Sequence, residues 1–140
     1  MFELHPQLAK DGIEVGDLSL SKVLLLNDSQ FPWLVLVPRR EGIKEIFQLE
    51  LKDQSTLLEE SSAVAEMMAD YFKADKMNVA ALGNMVPQLH IHHIARYQTD
   101  LAWPRPVWGA APAKPYEEQF LTQRLEQLRQ RLSGFGLQYP

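Results

Sequence analysis

Apolar residues fall into short runs and one-sided stripes that predict strands and helices in a definite order. Leu18 to Leu26 predicts a strand, with its buried end at Val23-Leu24-Leu25-Leu26. Asn27 to Pro32 supplies turn chemistry, and Trp33 to Val37 predicts a second strand, stopped by Pro38 and a polar exit at Arg39-Arg40-Glu41-Gly42. The short link predicts an antiparallel hairpin. Asp53 to Lys73 predicts a helix with Asp53 as its N-cap. Leu57, Leu58, Val64, Ala65, Met68, Tyr71 and Phe72 form its core-facing stripe, and Glu59 and Glu60 lie near the opposite face. Met77 to Leu82 and Leu89 to Ala95 predict two further strands, separated by a break at Gly83-Asn84. Leu101 to Pro115 has no period but is too apolar for a solvated linker, so it should pack on something. Tyr116 to Leu132 predicts a second helix striped by Phe120, Leu121, Leu125, Leu128 and Leu132, ending at Ser133-Gly134. Strands, helix, strands, helix is the order of an antiparallel α+β domain rather than a doubly wound parallel sheet.

Composition narrows the functions available. With 140 residues the chain fits one domain, 1–140, large enough to bury a core without staples. It contains no cysteine, which removes disulfides, thiolate metal sites and cysteine nucleophiles. The net charge of −4 argues against a broad nucleic-acid surface, though not against a pocket for one small anion. No apolar run has the length of a membrane span. Met1-Phe2-Glu3-Leu4-His5 lacks the pattern of a signal peptide, so the expected compartment is the cytoplasm.

The candidate chemistry lies in one strand. Three of the four histidines, His90, His92 and His93, fall within four residues. Side chains alternate along a strand, so Gln88, His90 and His92 share one face, about 6.5–7 Å apart, while Leu89, Ile91 and His93 share the other. Imidazoles titrate near neutrality, and a neutral one can attack phosphorus. The bare His-x-His pattern also fits a solvated face or two ligands of a metal. A metal site needs a third ligand, and the remaining histidine is His5, with no carboxylate on the same strand face. His93 reads as structural. Gly83-Asn84-Met85, just upstream, allows close backbone approach and can offer amides to phosphate oxygens.

These residues resemble the histidine-triad (HIT) family, whose hallmark is His-φ-His-φ-His-φ-φ, with φ apolar. The matching stretch is Gln88-Leu89-His90-Ile91-His92-His93-Ile94-Ala95. The pair of segments around Asn27 and Trp33-Leu34-Val35-Leu36-Val37-Pro38-Arg39-Arg40 is similar to the family's nucleoside-binding strands. Asn78 through Gly83-Asn84 resembles the approach to the triad, and Trp103-Pro104 a Trp-Pro found after it in one branch. The similarity spans roughly residues 15 to 105.

The resemblance implies an α+β sheet of about five antiparallel strands with two main helices. It implies a homodimer joined through a shared sheet, with segment 101–140 packed on the domain or the partner; the C-terminal helix and Trp103 to Trp108 are the candidate contacts. It implies hydrolysis or transfer at the α-phosphorus of a dinucleoside polyphosphate or nucleoside phosphoramidate, through a nucleotidyl-histidine. His90 takes the nucleophile's place and His92 that of the histidine assisting at the phosphate. Gln88 stands where the first triad histidine would be; its amide can orient His90 but cannot become cationic. Met85 stands where a phosphate-binding hydroxyl is common, and Trp33 where a histidine is. Asn27 resembles a ribose-binding Asn or Asp, and reads equally as a turn residue. Arg96 could pair with a phosphate or a carboxylate. Trp103 and Trp108 could cover a nucleoside or pack in the core. No cofactor is expected in the protein itself, although Mg²⁺ can arrive with a polyphosphate. Two rival readings stay open: a nucleotide-binding module with weak or no catalysis, and a metalloprotein using His90 and His92.

Overall fold

The computed structural model describes residues 1–139. A short helix α1 (Pro6–Asp11) leads into β1 (Gly12–Asp17), β2 (Ser21–Leu26) and β3 (Trp33–Pro38). A 3-10 turn at Ile46–Gln48 precedes the long helix α2 (Leu51–Tyr71). Then come β4 (Lys76–Ala80), β5 (Ile91–Arg96), helix α3 (Glu118–Leu132) and a 3-10 turn at Ser133–Phe135. The five strands form one sheet in the order β1-β2-β3-β5-β4, and every neighbouring pair is antiparallel. The α+β sheet with two main helices expected from the residue pattern is therefore present. No helix among the described residues is long and apolar enough to cross a membrane.

Several boundaries differ from the pattern-based expectation, each for a local reason. The strand expected from Leu18 starts at Ser21, because Leu18 N–H closes a turn onto the Ser21 carbonyl at 2.8 Å. That turn connects β2 to β1, a strand whose glycines and mixed pattern hid it. Gly16 of β1 is required by close packing: a Cβ there would stand 2.7 Å from the Gln138 carbonyl. The histidine strand is paired from Ile91 rather than Leu89, since the Leu89 amide leaves the ladder to bond the Ile43 carbonyl at 2.9 Å. Helix α2 begins two residues before Asp53, with Glu50 at the cap position. Asp53 is instead buried in the first turn and forked by Arg40, Nε to Oδ2 at 2.7 Å and Nη2 to Oδ1 at 3.1 Å. Glu60, expected near the outer face, is buried too and accepts the Leu20 and Ser21 amides at 2.8 and 3.1 Å. Leu58, expected in the core stripe, is 68% exposed. In α3 Phe120 likewise faces out, while Leu128 and Leu132 are buried. The α-helix ends at Leu132 with Ser133 as its cap, as expected; a 3-10 turn follows, and Gly136 rather than Gly134 takes the left-handed conformation (φ 84°).

Both faces of the sheet are covered. On one, Leu25, Leu34, Leu36, Ile91 and Ala95 meet Leu57, Val64 and Met68 of α2 and Leu128 and Leu132 of α3. On the other, Leu24, Val35, Val37 and Ile94 meet Leu8, Phe31, Trp33, Ala102 and Val107. The segment after residue 100 thus packs on its own chain, partly on each face. Arg96 is buried at the end of β5. Its guanidinium forks Asp100 at 2.8 and 3.1 Å and donates to Asn78 Oδ1 and the Arg105 carbonyl, both at 2.7 Å. Asp100 also receives the Tyr97, Ala102 and Trp103 amides. Burial alone would raise the Asp100 pKa, but Arg96 and these amides hold it far below the ordinary carboxylate range. Arg96 is therefore spent on structure, on the carboxylate side of the two options its sequence context allowed.

His93 points into the helical face. Its Nε2 meets Ser61 Oγ at 2.8 Å and its Nδ1 the Ile91 carbonyl at 3.1 Å. A carbonyl only accepts, so Nδ1 carries the proton and Nε2 accepts from the serine. Burial pushes its pKa from 6.5 to about 4, while the Ile91 and Leu34 carbonyls act the other way. A histidine neutral when folded and basic when unfolded gains a proton on unfolding between those values. Its contribution is full above pH 6.5 and is lost as pH falls toward 4, on the order of 3 kcal/mol across that window. Urea denaturation should show stability declining over this range, and His93→Gln should make the decline shallower. An identical pH profile in the variant would mean that His93 titrates in the fold as it does in the unfolded chain.

Candidate functional site

The antiparallel pairing of β3 with β5 sets Val35 opposite His92 and Trp33 opposite Ile94. His90, in the lead-in to β5, and His92, within it, present their rings on the face away from α2. The ring centroids are 4.9 Å apart in an edge-on arrangement. Both residues are largely buried, at 5% and 6% exposure.

Hydrogen bonds decide the tautomer of each ring. His90 Nδ1 lies 2.7 Å from the backbone carbonyl of Gln88, so Nδ1 carries the proton. In the neutral ring Nε2 then holds a lone pair, and it has no hydrogen-bond partner among the described residues. His92 has the opposite arrangement. The Trp33 indole N–H, which can only donate, reaches His92 Nδ1 at 3.0 Å, and the His92 Nε2 proton faces the Leu82 carbonyl at 3.3 Å. Burial, then the neighbouring His90, pushes the His92 pKa from 6.5 to about 4, despite the favourable Leu82 carbonyl. At neutral pH His92 is an uncharged N–H donor.

Gln88 orients His90 differently from the sequence-based expectation. Its side-chain amide does not reach the imidazole. Its Oε1 accepts the His5 amide and its Nε2 donates to the Glu3 carbonyl, both at 2.8 Å. The orienting group is the Gln88 backbone carbonyl.

One cleft is lined by His90, and a second reaches the pair only through Trp33 and Trp108. The first, of about 180 Å³, is lined by Lys44, Gly83, Asn84, Gln88 and His90 among others. Gly83 packs on the imidazole: a Cβ would lie 3.3 Å from His90 Cε1 and 2.9 Å from the Val86 carbonyl. The Gly83, Asn84 and Met85 amides have no acceptor among the described residues. The Met85 side chain is 94% exposed and does not line the cleft. The second cleft, of about 440 Å³, lies between Lys10, Asn27, Asp28, Trp33, Trp108 and the chain from Gly109 to Pro115. Trp108 stands edge-on to both His92 and Trp33, with centroids 5.1 and 5.7 Å away.

Of the residues singled out in the sequence, His90, His92, Gly83 and Asn84 come together. Asn27 lies in the second cleft, with its Oδ1 accepting the Tyr116 amide at 2.9 Å. The β2–β3 turn around it clasps the C-terminal segment: Asp28 Oδ1 takes the Lys114 amide at 3.3 Å and Ser29 N–H bonds the Lys114 carbonyl at 2.7 Å. Trp103 instead packs with Arg96, whose guanidinium carbon lies 5.7 Å from the indole centroid. Among the described residues no group of three or more His, Asp or Glu side chains comes together as a metal site. Sequence reasoning missed Trp33 as the partner of His92, Trp108 as its neighbour, and Lys44 beside His90. Only the alternation along β3 hinted at the first.

The HIT domain model matches residues 8–99. Among solved structures, the chain is similar to a histidine triad protein from Marinobacter aquaeolei VT8, with 52% identity, 96% of this chain and 98% of that chain covered, and a TM-score of 0.94. A histidine triad protein from Bradyrhizobium japonicum shares 45% identity over 93% of this chain and 97% of that one, with a TM-score of 0.91. One from Sinorhizobium meliloti 1021 shares 42% identity over 94% and 98%, also at 0.91. Among curated proteins no relative matches. With His90 just before β5, His92 within it, and a domain match over most of its length, the chain belongs to the HIT domain family, which contains nucleotide hydrolases and transferases.

Proposed function

We propose that the protein hydrolyses or transfers nucleotides at the α-phosphorus, with His90 as nucleophile, on a dinucleoside polyphosphate or nucleoside phosphoramidate. The observation that carries this reading is the His90 imidazole itself. Its proton is held on Nδ1 by a backbone carbonyl, so the unpartnered Nε2 offers a lone pair beside a glycine turn with free amides.

In the first step the Nε2 lone pair forms a bond to the α-phosphorus, and the bond from phosphorus to the leaving oxygen or nitrogen breaks with its electron pair. In the second, water or another acceptor attacks the nucleotidyl-histidine, the P–N bond breaks, and Nε2 regains its lone pair. Positive charge arising on His90 in the first step is shared with the Gln88 carbonyl through Nδ1–H. The Gly83 and Asn84 amides stabilise the phosphoryl oxygens. His92, neutral at pH 7, serves as a hydrogen-bond donor through Nε2–H, whose long 3.3 Å contact to the Leu82 carbonyl is exchanged for a phosphoryl oxygen, with its tautomer set by Trp33. The second cleft has room for a nucleoside, with Asn27 and Trp108 in its wall. Any Mg²⁺ would enter with a polyphosphate substrate. A nucleotide-binding module is the second reading, favoured by the engagement of both His92 nitrogens within the protein.

We place the homodimer contact at the free edge of β4 rather than at α3. Beside that edge Ile46, Leu58 and Val79 are exposed and line one groove, and an unpaired strand next to an apolar patch favours a second sheet edge.

Rapid quench after mixing with diadenosine polyphosphate or adenosine phosphoramidate should show an adenylyl mass on the wild type and none on His90→Ala. Adduct on the variant would remove His90 as nucleophile, and binding without adduct on the wild type would favour the second reading. Trp33→Phe should lower kcat roughly 10-fold by freeing the His92 tautomer; an unchanged kcat would take the indole out of the mechanism. Sedimentation should give a dimer at micromolar concentration that Val79→Asp dissociates, and a monomeric wild type would exclude the β4 contact.

A further inference from the structure

The first triad position holds glutamine, and its amide is used in an unexpected place. We infer that Phe2 to His5 forms a strap that acts as a positioning element for His90, through Gln88. Glutamine presents a donor and an acceptor side by side, in the manner of a peptide group. Here Oε1 takes the His5 N–H and Nε2 gives to the Glu3 carbonyl, both at 2.8 Å. That is the hydrogen-bond pattern of one residue facing residues i and i+2 across a sheet. A neutral imidazole carries its donor and acceptor on diverging directions of a ring and cannot make both bonds to one strand edge. The glutamine at this position therefore matches the strap, and the strap matches the glutamine.

The strap is anchored independently of Gln88. Phe2 and Leu4 pack against the apolar cluster that includes Trp33, Val35 and Ile94. The His5 ring caps α1 by accepting the Gln7 amide at 3.0 Å. Gln88 is thus held from both ends of its structure: the side chain by the strap, and the backbone carbonyl against His90 Nδ1 at 2.7 Å. The residues around it, from Gly83 to His90, lie outside the strand ladder, which pairs only Ile91 onward in β5. Without the ladder, that peptide unit is held at its Leu89 N–H by the Ile43 carbonyl at 2.9 Å, and the clasp adds the hold on Gln88, the residue that carries the carbonyl setting the His90 tautomer. Gln88 is a positioning residue acting through its own carbonyl, and the strap acts through Gln88.

The catalytic consequence rests on His90 being the nucleophile; the positional consequence does not. Two variants of the full chain reach the clasp from opposite sides: Gln88→Met, which keeps the carbonyl and removes both amide bonds, and Phe2→Ser with Leu4→Ser, which removes the apolar anchors. Side-chain ¹⁵N NMR of His90 should show the Nδ1–H form in the wild type and a tautomer mixture in both variants. Hydrogen exchange should rise in residues 1–7 and stay unchanged in β2 and β3. Where the wild type turns over, kcat should fall up to about 10²-fold with little change in KM. Combining the variants should be no worse than either alone, as expected for one shared interaction. A loosened strap with an unaltered His90 tautomer would overturn the inference, as would fully additive effects. A wild type without turnover would sink the catalytic reading alone, because the tautomer and exchange measurements still decide the clasp.

Discussion

The pairing of β3 with β5 in the middle of the sheet is the constraint on which the site depends. It aligns two segments about sixty residues apart so that the Trp33 indole meets His92, while the same ladder ends just short of His90. Were the register to slip by one residue, every side chain of β5 would change face. His93 would then leave Ser61 and the core would receive His92 in its place. Leu34, Leu36, Ile91 and Ala95 on one face, and Val35 and Ile94 on the other, resist that slip because both faces are packed.

Burying imidazoles is tolerable only when each ring nitrogen finds the right kind of partner. His93 and His92 solve this in full, with a carbonyl on one nitrogen and a donor on the other, and both are held neutral well below the usual histidine range. His90 solves it by half. One nitrogen is satisfied and the other faces the cleft side without a partner, which makes the ring both oriented and available. What sets His90 apart from the other two is that single unused lone pair, and not the amount of burial.

Outside the sheet, polar side chains rather than strands hold the irregular segments in place. Arg96 and Asp100 gather the loop that follows β5, and Asn27 and Asp28 hold the chain from Lys114 to Tyr116. The second cleft is therefore walled by a segment distant in sequence but tied directly to the β2–β3 turn. The same device serves at Gln88, whose amide ties the strap ahead of α1. Side chains that mimic a peptide or cap a run of amides let loops carry a site that would otherwise need secondary structure.

The strands β2 to β5 and both long helices were legible in the sequence because periodicity reports which face is buried, and because Pro38 and Gly83-Asn84 punctuate it. The pair His90 and His92 was legible for the same reason: alternation on a strand needs no partner to be known. What alternation cannot say is what lies across from a residue. It gave no sign that Asp53 and Glu60 would be buried by Arg40 and by two backbone amides, since charged residues turn inward only when a distant partner awaits them. It hid β1, whose two glycines weaken the pattern and whose place depends on β2 and Gln138. It also assigned the Gln88 amide to His90, the nearest acceptor in sequence, when the backbone supplied that bond and the amide served the strap. The sequence alone determined that His90 and His92 share one face of a strand; the tertiary structure alone decided their tautomers, because a histidine's proton follows the hydrogen-bond partners that the folded backbone and side chains such as Trp33 bring to it.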